Sequence, residues 1–164
     1  MRTVRIRKGL VLLLMLVLAF AFYSLLGRLN PNLIVFINTF SMAVLLAAII
    51  YGEIEGAVMG TVAGLLADAF SDGVFGLSGL SLTITGFLAG WFAQKINLNS
   101  LGKRSVMLFF FSLFQLLLWV VLYNFIFKNS LLYSRPGLYL QPVITAIITS
   151  LLAGLLRPVK KAVD

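Results

Sequence analysis

Residues 106–121 read VMLFFFSLFQLLLWVV, and no face of a helix or strand drawn through them is polar. Residues 10–22, LVLLLMLVLAFAF, repeat the pattern. A soluble helix keeps a polar stripe and a half-buried strand alternates; these segments do neither. In hydrocarbon each backbone N–H and C=O must be satisfied within the structure, which leaves helices and closed barrels. Barrel strands alternate with period two, so helices remain. The whole chain agrees: 61% of its 164 residues are hydrophobic and 11% charged, against about a quarter charged in an ordinary soluble domain. The expectation is an all-α membrane protein.

Working outward from these two stretches, the sequence predicts six transmembrane helices over residues 9–26, 33–51, 54–70, 74–92, 106–127 and 138–156. Punctuation separates them: Gly27, Arg28 and Asn30-Pro31; the cap candidate Asn32; Gly52-Glu53; the turn Ser71-Asp72-Gly73; and the stop Arg157-Pro158. No linker, low-complexity tract or charged tail divides the chain, so residues 1–164 read as a single integral membrane domain. The basic start followed by an apolar run resembles a signal peptide, yet Phe22-Tyr23 and Leu25-Leu26 stand where small residues would mark cleavage, and the segment reads as retained.

With the N-terminus inside, six spans place Arg2, Arg5, Arg7, Lys8, Lys95, Lys103, Arg104, Arg157, Lys160 and Lys161 in the cytoplasm and only Arg28, Lys128 and Arg135 outside. That asymmetry predicts both termini in the cytoplasm of a bacterial inner membrane, and it argues against a re-entrant third helix, which would reverse the last basic cluster. The net charge of +8 then reflects topology and attraction to anionic lipids; no nucleic-acid site is expected. Cysteine and histidine are both absent, which removes disulfides, thiol nucleophiles and the commonest general base. No catalytic, cofactor or metal site is expected, and the chain does not read as an enzyme.

The most patterned part is the third and fourth spans. Gly56, Gly60 and Gly64 recur every four residues and share one face; Gly86 and Gly90 repeat the spacing. Such faces allow close backbone approach, between the two helices themselves or with a partner. Asp68 is the one acid beyond the first turn of a span, Glu55 standing at the start of the third. It can accept hydrogen bonds from free amides at the start of the next helix, with Ser71 or Asp72 as a further cap, contact a partner, or handle a proton or ligand; the structural role is favoured. Asp68 and Asp72 stand four apart like a carboxylate pair, but no cleft or second polar set accompanies them. Gln94 to Lys103 is expected as the longest cytoplasmic loop.

The run Gly60 to Ser71, followed by Gly76-Leu77-Ser78-Gly79-Leu80 and Gly86 to Gly90, resembles the hairpin of the rod shape-determining protein MreD family over about residues 52–92. Val74-Phe75 and Ser78 depart from that family's pattern. The resemblance implies a non-enzymatic scaffold of the cell-elongation (rod) complex that supports cell shape and peptidoglycan synthesis, binds the periplasmic protein MreC, and works with the MreB filament and peptidoglycan synthases. The same family is similar in fold to the substrate-binding components of energy-coupling factor transporters, so a vitamin-binding receptor is the alternative. For a ligand pocket the sequence offers only scattered candidates, Asn38, Gln115, Trp119 and Asn124, and buried amides of this kind more often bond helix to helix.

Overall fold

The computed structural model describes the chain apart from residues 1, 31–32, 34–35, 72–73, 97, 99, 128–139 and 164, and apart from the side chains of 2–5 and 156–163. Asn32, Asp72, Lys128 and Arg135 lie outside the described residues. The described chain forms six helices: α1 Arg2–Leu29, α2 Thr39–Tyr51, α3 Glu53–Ala69, α4 Leu77–Lys95, α5 Leu101–Phe127 and α6 Gln141–Val163. By length and apolarity, Ile6–Leu29 and Leu101–Ile126 each suffice to cross a membrane, at 24 and 26 residues.

Side-chain contacts fix how the helices run. Tyr23 of α1 donates its hydroxyl to the Phe70 carbonyl at 3.4 Å, while Lys8 lies 3.9 Å from Glu55, so α1 runs parallel to α3. Gly56 faces Gly86 and Gly64 faces Gly79, which makes α3 and α4 antiparallel. Trp119 reaches Ser78 and Ser105 reaches Ser150, so α5 runs against both α4 and α6. One apolar cluster joins Ala19 of α1 to Phe40, Val44 and Ala47 of α2, Met59 and Ala63 of α3, and Leu82 of α4. A second joins Leu45 and Ala48 to Ala89, Leu108 and Ala146. α2 therefore sits at the centre, with Val44, Leu45, Ala47 and Ala48 all fully buried, while α1 lies at the rim with Leu10, Leu13, Leu14, Val17 and Leu18 outward.

Several boundaries differ from the sequence expectation. α1 extends through the basic start, because residues 2–8 hold neither proline nor glycine to stop a helix. α2 begins six residues later than expected: Asn38 is its cap, its side chain accepting from the Ser41 amide at 2.9 Å. At 13 residues α2 is about 20 Å long, short of the roughly 30 Å hydrocarbon layer. α4 starts at Leu77 rather than Val74, since Gly76 before it takes φ 96°, a left-handed conformation that a side chain resists. α5 starts five residues early and α4 ends late, so the segment read as the longest cytoplasmic loop shrinks to residues 96–100.

Arg104, placed in that loop by sequence, is instead 2% exposed in the first turns of α5. Its Nε donates to the Ser150 hydroxyl at 3.3 Å, and Gly154 leaves the space its guanidinium fills. α6 also continues past Arg157-Pro158, the expected stop. Pro142 stands at its start, where a missing N–H costs the helix nothing.

Candidate functional site

The glycine faces pack against each other inside the chain. A Cβ on Gly56 would stand 2.5 Å from the Gly86 carbonyl oxygen, one on Gly64 2.5 Å from the Gly79 Cα, and one on Gly90 2.5 Å from the Glu53 nitrogen. On Gly60 it would meet the Leu82 carbonyl carbon at 2.6 Å. Backbone touches backbone along the whole hairpin, so the groove these residues form on α3 is filled by α4. The exposed rim of the same contact carries a hydroxyl pair, Thr61 to Thr83 at 2.9 Å.

Asp68 closes the far end of the hairpin. Its Oδ2 accepts from the Gly76 amide at 2.9 Å and the Gly79 amide at 3.1 Å, and its Oδ1 from the Ser78 amide at 3.1 Å. The first amides of a helix have no intrahelical acceptor and carry the positive end of its dipole. A buried carboxyl from the preceding helix satisfies two of them, at Ser78 and Gly79, together with the amide of the cap residue Gly76. Ser71 does not cap α4; its hydroxyl donates back to the Asp68 carbonyl at 3.2 Å.

Directly beside this cap lies a cavity of about 200 Å³. Its walls come from all six helices and their flanks: Tyr23 of α1; Ile37, Asn38, Thr39 and Phe40 at the start of α2; Ala67 and Ser71 at the end of α3; Ser78 and Leu82 of α4; Gln115, Leu116 and Trp119 of α5; and Gln141 of α6. Every described lining residue is uncharged. The late start of α2 places its capped N-terminus in the wall. Aromatic contacts stiffen the site: Tyr23 packs on Phe40 with centroids 5.3 Å apart, and Trp119 stacks on Tyr123 at 5.4 Å and 23°. The Trp119 indole N–H donates to the Ser78 hydroxyl at 3.2 Å.

Three of the four polar residues that seem scattered in sequence, Asn38, Gln115 and Trp119, thus converge on one cavity. Asn124 is not among its lining residues. Thr39, Ser78 and Gln141 belong to the cavity as well and escaped the sequence reading, because nothing in a single apolar span says which of its polar residues faces a neighbour's. At the opposite end of the bundle lie Lys8 with Glu55 and Tyr51, Gln94 donating to Glu53, and Lys95 3.5 Å above the Trp91 ring.

Apolar helices with a polar-and-aromatic cavity at one end define an all-helical membrane protein. Its sequence matches the family model for the ECF-type riboflavin transporter, S component, over residues 10–159. The chain belongs to that family, and its place is the cytoplasmic membrane. No curated protein and no solved structure matches it. The match overturns the resemblance to MreD, and with it the cell-shape scaffold and the partners MreC, MreB and peptidoglycan synthases. The physical reason is visible in the hairpin. Gly60, Gly64 and Gly86 serve backbone contact, and Asp68 serves a helix cap. These are solutions to packing two short antiparallel helices, and they carry no information about a partner.

Proposed function

We propose that the chain is the substrate-binding subunit of an energy-coupling factor transporter and that it takes riboflavin or a closely related flavin. Under this reading it is one membrane domain of six spans with both termini in the cytoplasm, and it has no catalytic activity of its own. The cavity is the observation that carries the proposal. It gathers Tyr23, Phe40 and Trp119 around polar groups from four helices, the mix of apolar walls and a few placed polar atoms that suits a small planar ligand. Its position supports the orientation: Lys8, Lys95 and Arg104 cluster at the other end, and the side richer in bases faces the cytoplasm. The cavity then opens outward, where a scarce vitamin arrives. Its partners are the transmembrane component and the ATPase pair of such a transporter.

The direct test is a titration of the purified protein in mild detergent with riboflavin, following tryptophan emission, since Trp119 lines the cavity. Saturable quenching with a Kd below about 1 μM, corresponding to about 8 kcal/mol, and no comparable effect of thiamine or biotin, is expected. Equal, non-saturating responses to all three would overturn the assignment.

A further inference from the structure

Three polar side chains in the cavity wall are more than nine-tenths buried and have no bonding partner among the described residues. The Thr39 hydroxyl is enclosed without a hydrogen bond. Gln115 and Gln141 are 5% and 8% exposed, line the same cavity, and bond to no other described side chain or backbone group. Buried polar groups in native structures are nearly always satisfied, and in a membrane bundle amides usually bond helix to helix. Two carboxamides from α5 and α6 that both face one cavity unpaired are therefore groups waiting for a partner that enters it. Asn38 differs, since its oxygen is already committed to the Ser41 amide.

Resting on the flavin-receptor reading, we propose that Gln115 and Gln141 are the specificity-determining residues, and that they read the cyclic imide edge of a neutral planar heterocycle. The chemistry follows from the inventory of groups. A carboxamide offers both a donor and an acceptor. An imide presents carbonyl, N–H and carbonyl in a row, so two carboxamides match it with N–H to each carbonyl and a carbonyl to the central N–H. The ring itself rests against Trp119, which Ser78 holds in place. No described lining residue carries a charge, so a phosphate or ammonium entering this wall would lack a counter-ion in a low-dielectric site. The site thus selects the uncharged end of its ligand.

The test uses the full chain in detergent with riboflavin and its N3-methyl derivative, which lacks the imide donor. The wild-type protein should bind the methylated compound at least about tenfold more weakly, since a site built around a hydrogen bond rejects an analogue that cannot make it. Gln115→Leu and Gln141→Leu should each weaken riboflavin by about tenfold, and the variant that removes the carboxamide accepting from the imide N–H should also lose the discrimination against the N3-methyl derivative. Tight riboflavin binding with N3-methylation tolerated in the wild type, and Gln variants unaltered, would overturn the edge assignment and leave the flavin receptor standing. Absence of riboflavin binding by the folded wild type would overturn both. The wild-type comparison of the two ligands decides the matter even where a variant fails to fold.

Discussion

The indole N–H of Trp119 on α5 donates to the hydroxyl of Ser78 on α4 across 3.2 Å, and the backbone amide of the same Ser78 donates to Asp68 on α3. Three helices are thereby tied at one residue, and the tie sits in the cavity wall. Ser78 was a departure from the pattern of the family the hairpin resembles; in the structure it is the link between the helix cap and the aromatic floor of the site.

Trp119→Phe keeps a smaller ring in the cavity and removes the donor; Ser78→Ala removes the acceptor. Each should weaken flavin binding by about threefold to tenfold, as for one neutral hydrogen bond of roughly 0.5–1.5 kcal/mol. The double variant should be no worse than Trp119→Phe alone, because both substitutions remove the same bond. Additive losses in isothermal titration would mean that the two residues act separately.

Asp68→Asn preserves shape but replaces one acceptor oxygen by an NH₂ group facing amides that also donate. Three amide bonds cannot then all be kept, and a loss of about 1–3 kcal/mol is expected, read as a lower unfolding temperature in detergent. An unchanged midpoint would show that the cap contributes little.

Replacing Gly64 by leucine forces a side chain into the Gly79 backbone, with no flexible neighbour to yield. A loss on the order of 3 kcal/mol, seen as poor recovery of folded protein, is expected. Gly9→Ala meets nothing within 4 Å and should leave stability unchanged or raise it by about 1 kcal/mol through helix propensity. Equal behaviour of the two variants would count against the hairpin contact.

Because the native chain has no cysteine, single cysteines report topology without background. Ser71→Cys should react with a membrane-impermeant maleimide added to intact cells, and Ser100→Cys only after the membrane is opened. Reaction of both from the same side would exclude the six-span orientation.

Sequence alone determined the helical class, since stretches such as 10–22 and 106–121 have no polar face to give to water. It also placed the glycine face of α3 and offered the capping role of Asp68, because both depend on spacing and local chain direction within one hairpin. It did not reach the start of α2 at Asn38 or the burial of Arg104, and it offered the energy-coupling factor receptor, which the family match favours, only as the alternative to MreD. Asn38 and Asn32 are equally good caps on paper, and Arg104 is a loop residue until Gly154 of α6 makes room beside Ser150.

The hairpin motif by itself points towards the MreD family, because a sequence pattern that solves a packing problem recurs wherever that problem does. The cavity was decided by tertiary structure alone. Thr39, Ser78, Gln115, Trp119 and Gln141 come from four helices separated by up to about a hundred residues of chain. Periodicity describes each helix against its surroundings, and it says nothing about which polar residue of one helix faces which residue of another. That choice follows from helix packing, from backbone contact at Gly56, Gly60 and Gly64 and from the central position of α2, and only the assembled bundle contains it.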